Sequence, residues 1–166
     1  MSMEFPLPQP PGMQEKTERH HLYVVVDCAQ MADGFYDKIT SDETILSKSL
    51  LMETPHTEAI EAGPLLIQLD TENNPDFIKT LQELEQKHPA IIWLWSKTDF
   101  DPLFRQMKKL LFGEGEDGIK MFLRFYDPRC LEGLLEVYRQ DVQASHAIGH
   151  IQAWAFVKDD QYQYLK

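Results

Sequence analysis

LYVVVD at residues 22–27 is a short run of β-branched and aromatic side chains closed by a carboxylate, the composition of a strand buried on both faces. Working outward, LLIQLD at 65–70, IIWLWS at 91–96, KMFLRFYD at 120–127 and IQAWAFV at 151–157 share that character. SLLME at 49–53 is a weaker run of the same kind. Between these runs stand four pairs, Thr54-Pro55, Asn74-Pro75, Asp101-Pro102 and Asp127-Pro128. Each reads as a helix start, because proline at the first helical position forfeits no hydrogen bond and the residue before it can cap free amides. Helical apolar spacing follows three of them: Phe77, Leu81 and Leu84; Leu103, Met107, Leu110 and Leu111; Leu131, Leu134, Leu135 and Tyr138. Gly63-Pro64 should stop the helix from Pro55 early. Strands alternating with helices predict a single layered α/β domain over residues 20–166, with a mostly parallel or mixed central sheet flanked by helices and room for an antiparallel last strand at one edge.

With 166 residues and 43% hydrophobic content the chain is long and apolar enough for one domain core. Sixteen basic residues against 27 acidic give a formal charge of −11, so attraction to a phosphate backbone has no source, and nucleic acid and anionic membranes are not expected partners. The longest apolar runs fall far short of a membrane span, and MSMEFPLPQPPGMQEK has none of the layout of a secretory signal. A cytoplasmic location is the expectation. Residues 1–19, with Pro6, Pro8, Pro10 and Pro11 and then a charged run, read as a flexible arm. Cys28 and Cys130, the only cysteines, read as ordinary thiols rather than a disulfide or a metal site.

Several residues could carry chemistry. Asp27 and Asp70 each close an apolar strand, and Ser96 and Lys97 close another, where open α/β sheets bind ligands. Such carboxylates could hold magnesium for a receiver-like or phosphoryl-transfer module, with lysine neutralising the transferred group. The competing reading is that they turn the chain at strand ends. Asp27 beside Cys28 would raise the thiol pKa, which argues against a nucleophile. His146 and His150 have the spacing of one helix face but lack further ligands, and His20 and His21 carry as little weight, so no metal and no cofactor is expected. Gly113, Gly115 and Gly118 alternate with Glu114, Glu116 and Asp117, which would repel phosphate, so 113–118 reads as a solvated loop.

The densest segment is FLRFYDPRCLEGLL at 122–135. As a strand it would place Leu123 and Phe125 on one face and Phe122, Arg124 and Tyr126 on the other, so Arg124 would need an acceptor in a partly apolar layer. Asp127 is the natural cap of the helix beginning at Pro128. Arg129 can fold back onto Asp127 or Asp70, bracing the turn, or project as a planar donor for a partner.

LRFYDPR at 123–129 resembles a bacterial family first catalogued as a domain of unknown function and associated with adaptor or effector-chaperone proteins of type VI secretion systems. LYVVVD at 22–27, AGPLLIQL at 62–69, WSKTDFDPLFRQMKKLL at 95–111 and GHIQAWAF at 149–156 follow the same pattern in order. The resemblance implies a non-catalytic protein that binds a cognate toxin in the cytoplasm and helps load it onto the tip of the secretion spike. Some relatives carry a further carboxy-terminal lobe, and none is expected within residues 20–166, which read as one domain. The motif residues Arg124, Phe125, Tyr126, Asp127, Pro128 and Arg129 are then the first candidates for partner binding or for a structural brace. Arg105, Lys108 and Lys109, a small basic stripe on an acidic chain, are secondary surface candidates.

Overall fold

The computed structural model describes residues 20–166; the proposed arm at 1–19 lies outside the described residues. The elements run β1 (His21–Asp27), α1 (Phe35–Thr40), β2 (Leu46–Ser49), β3 (Pro64–Leu69), α2 (Pro75–Glu85), β4 (Ile91–Ser96) and α3 (Phe100–Lys109). There follow β5 (Phe112–Glu114), β6 (Lys120–Phe122), α4 (Pro128–Arg139), α5 (Val142–Ile148), β7 (Ala153–Lys158) and β8 (Gln161–Leu165).

Six strands form one sheet in the order β2-β3-β1-β4-β7-β8, with β1 inside it between β3 and β4. The two faces of β1 feed separate cores. Tyr23 and Val25 pack with Leu103 and Met107 of α3, Leu131 and Leu135 of α4, and Ala147 of α5. Leu22, Val24 and Val26 pack with Ile39 of α1 and with Ile78 and Leu81 of α2. Helices therefore cover both faces, and burying each aliphatic side chain contributes about 1.5–3 kcal/mol.

The expected mostly parallel or mixed sheet is wrong: every strand pairing among the described residues is antiparallel. The crossover β3–α2–β4 does join two strands of the same direction, but β1 is inserted between them and pairs antiparallel with both. Burial on both faces, which made 22–27 a continuous apolar run, is indifferent to strand direction.

Local corrections follow the same logic. No α-helix starts at Pro55; a 3-10 segment, Thr57–Ala62, occupies that stretch and ends at Gly63 as expected. The weak strand at 49–53 lies earlier, at Leu46–Ser49, while Leu50 and Leu51 turn into the core. Helix α3 begins ahead of Pro102, with Asp99 at its cap position and Asp101 in its first turn. The strand at 120–127 ends at Phe122, and 113–118 is not all loop, since Phe112–Glu114 pairs with Lys120–Phe122 in a separate hairpin. Helices α2 and α4 start at Pro75 and Pro128, where the sequence places them.

Candidate functional site

The chain leaves β6 at Phe122 and makes a turn instead of continuing as a strand: the Leu123 amide donates to the Leu111 carbonyl at 2.7 Å, and the Asp127 amide to that of Arg124 at 3.1 Å. The turn frees consecutive side chains from strand alternation, so Phe125 and Tyr126 are both buried. Phe125 is fully enclosed, edge-on to Trp154 of β7 with ring centroids 6.3 Å apart and to Tyr126 at 5.9 Å.

Asp27 closes β1 and is 1% exposed. Its carboxylate accepts from the Ala29 amide at 3.2 Å, from Gln30 Nε2 at 3.0 Å and from Arg124 Nη2 at 3.0 Å. Gln30 Nε2 also donates to the Pro89 carbonyl at 3.0 Å, tying the end of β1 to the approach to β4. The Arg124 side chain is half exposed, and its guanidinium carbon lies 5.7 Å from the Tyr126 ring centroid. Burial opposes the Arg124 cation, but Tyr126, Asp27 and Asp127 outweigh it and raise its pKa further. Burial also raises the Tyr126 phenol, with the Asp27 charge adding to it, so the ring stays neutral beside the guanidinium.

Asp127 caps α4. It accepts from the Arg129 amide at 2.9 Å, and the Arg129 guanidinium folds back onto it through Nε at 3.0 Å and Nη2 at 2.8 Å. Burial pushes the Asp127 carboxyl up, yet the hydrogen bonds and charge of Arg129, with Arg124 behind them, hold it below the ordinary aspartate value. Pro128 occupies the first turn. The segment 124–129 thus fastens β1, β7 and α4 together, and sets two partly exposed guanidinium groups over two buried carboxylates.

The other candidates do not converge here. Asp27 lies at the end of β1 that pairs with Pro64, whereas Leu69, which precedes Asp70, pairs with Leu22 near the other end. Five strand steps separate Leu22 from Asp27, about 17 Å, so the antiparallel order parts the carboxylates that a magnesium site would need together. Asp70 is exposed and accepts from the Glu72 amide at 2.8 Å and from Asn73 Nδ2 at 2.9 Å. Ser96 and Lys97 are on the Asp70 side of the sheet; Ser96 Oγ donates to the His150 carbonyl, and the Lys97 amide donates to Gln152 Oε1 at 3.1 Å. Arg129 pairs with Asp127, not Asp70.

Arg105 is exposed on α3. Lys108 donates to the Met52 carbonyl and stands 5.4 Å from the Phe104 ring centroid, and Lys109 donates to Gln106 Oε1 at 3.3 Å. Burial, then the Asp27 charge, pushes the Cys28 thiol up to about 12. The His146 and His150 rings meet at 5.1 Å, and His150 Nδ1 lies 3.2 Å from Thr98 Oγ1. Among the described residues no three side chains gather as metal ligands, and no helix is long and apolar enough to cross a membrane.

Sequence reasoning missed the Glu85 cluster. Glu85 is buried and accepts from Trp93 Nε1 at 2.7 Å and from the Tyr162 hydroxyl. Its position four residues after Leu81, on the apolar face of α2, was the available signal. Burial pushes its carboxyl up to about 7 against the opposing pull of both donors.

No curated protein and no solved structure matches the chain. A family model described as a domain of unknown function (DUF4123) matches residues 22–145, a span that runs from β1 through the motif turn into α5. The match covers most of the sequence and includes both halves of the Asp27–Arg124 brace, and the chain belongs to the DUF4123 family.

Proposed function

We propose that the chain is a non-catalytic adaptor that binds a cognate type VI secretion effector in the cytoplasm and helps load it onto the secretion spike. One observation carries the reading. The motif through which the sequence resembles such adaptors, LRFYDPR, spends its two arginines on ion pairs with Asp27 and Asp127 while leaving both guanidinium groups partly exposed beside a rigid turn. That is the build of a fixed recognition platform, since planar donors held in place lose little freedom when a partner's carboxylate or carbonyl arrives. Membership of DUF4123 and the order of the remaining matching segments support the same reading.

The test is affinity capture of the tagged full chain in a bacterium expressing its secretion machinery, at low and moderate salt, with mass spectrometry of what is retained. One large toxin, alone or with the spike-tip protein, in one-to-one stoichiometry is the expected result. No specific protein in a secreting strain overturns the proposal.

A further inference from the structure

Three exposed rings meet beside the motif turn. Phe112 and Phe122 stand opposite one another in the β5–β6 hairpin, 39% and 37% exposed, with ring centroids 5.9 Å apart. His56, also exposed, stacks on Phe112 at 6.2 Å and meets the edge of Phe122 at 5.0 Å. The Phe122 ring in turn lies 6.5 Å from that of Tyr126, which the Arg124 guanidinium approaches at 5.7 Å. Exposed aromatic rings in contact are what a polyproline segment docks on, because its prolines set the extended helix in advance and lose little freedom on binding.

The chain carries such a segment. FPLPQPPGMQ at 5–14 holds four prolines and no charge, so it meets no repulsion from a chain whose formal charge is −11. Its point of attachment suits the rings. His21, the first residue of β1, has its Nε2 3.2 Å from the carboxylate of Asp99 at the cap position of α3, and α3 leads from there to the hairpin. The ten residues of α3 and the three steps from Lys109 to Phe112 span about 25 Å at most. Pro11 stands nine residues before His20 and Pro6 fourteen, reaches of about 28 and 43 Å in polyproline geometry. Pro11 therefore arrives at Phe112, and the rest of the run has length for Phe122. A tether of this size also keeps the segment at millimolar effective concentration, which a segment from any other molecule has to match.

We propose that residues 6–11 of this same chain lie along the Phe112, Phe122 and His56 rings, an intramolecular strap over the surface next to the motif turn. The strap stands whether or not the chain is an adaptor.

The test is paramagnetic broadening in the full-length protein, with a nitroxide on the exposed thiol of Cys130; Cys28 is buried. Cys130 is one helical turn from Tyr126, and its amide donates to the Asp127 carbonyl at 2.9 Å. The Phe5, Leu7 and Gln9 amides should broaden. Pro8→Ser/Pro10→Ser/Pro11→Ser, which alters nothing in residues 20–166, should lose most of that broadening, and so should Phe112→Ser/Phe122→Ser. Should the phenylalanine variant fail to fold, the proline variant decides. An equimolar mixture of isotope-labelled wild type and unlabelled nitroxide-bearing chain should show none. Broadening in that mixture would give the rings to the arm of a second copy and overturns the proposal. Unbroadened arm amides, or broadening that survives the three serines, overturns it as well and leaves the rings to a separate protein.

Discussion

Arg124 and Asp27 stand 97 positions apart in the sequence and 3.0 Å apart in the fold, where a half-exposed cation closes over a carboxylate that is 1% exposed. The pair is lopsided, because its anion has left water and its cation has not. Asp27 is also held by Ala29 and Gln30, so the carboxylate organises the end of β1 and Arg124 latches the motif turn onto it.

Removing the latch should therefore cost more than removing an ordinary surface pair. Arg124→Ala leaves a buried carboxylate short of its cation, and we expect a loss of about 1–3 kcal/mol, between the values for a surface pair and a buried one. Urea denaturation of Arg124→Ala, Asp27→Ala and the double variant measures the coupling. Strict additivity of the two losses would show that the contact contributes nothing to stability.

Asp127 carries a cap and an ion pair at once. Asp127→Ala should lower stability by about 1–2 kcal/mol, and Asp127→Asn, which can still accept from the Arg129 amide, should recover part of that loss. The carboxyl is held below its ordinary pKa of 3.8, so its contribution is present above that value and fades as pH falls through the depressed one. The difference in urea midpoint between wild type and Asp127→Asn should accordingly narrow in strong acid. A difference independent of pH would show that the carboxylate charge contributes nothing to it.

What the sequence could disclose about this turn was local. Asp127-Pro128 announces the start of α4 because cap and proline act within one helical turn, and the apolar run at 22–27 announces burial on both faces of β1. Strand direction was hidden, since it depends on β1 inserting between β3 and β4, a pairing of segments distant in sequence. For the same reason the separation of Asp27 from Asp70 could not be read from two carboxylates that each follow an apolar strand. The hairpin was masked differently: the acids and glycines of 113–118 signal a loop, while the alternation that makes it a ribbon lies in Phe112, Met121 and Phe122 at its base.

Phe125 is the anchor of the turn. Its ring is fully buried against Trp154 and Tyr126, so Phe125→Ala should cost about 3–5 kcal/mol and Phe125→Leu markedly less, through the cavity each leaves. The near-ultraviolet circular dichroism of the aromatic cluster should weaken in the alanine variant while the far-ultraviolet signal persists at low temperature. Wild-type stability in Phe125→Ala would mean that the ring does not anchor the turn.

Glu85 supplies a pH dependence of the opposite sense to Asp127. Burial raises its carboxyl from 4.5 to about 7, against the hydrogen bonds from Tyr162 and Trp93. Between those values the folded chain keeps a proton that the unfolded chain has released, so the folded state binds more protons and stability falls as pH rises. The contribution is intact below pH 4.5 and lost by about pH 7, amounting to about 3 kcal/mol at about 1.4 kcal/mol per pH unit. Glu85→Gln abolishes the titration while keeping a carbonyl to accept from Trp93 Nε1 and an amide to donate to the Tyr162 oxygen. Urea midpoints of wild type and Glu85→Gln should therefore converge near pH 5 and separate toward pH 8, with the glutamine variant the more stable. Parallel curves over that range would place the Glu85 pKa in the ordinary carboxylate region, and an unstable glutamine variant at every pH would show that both donors require the carboxyl itself.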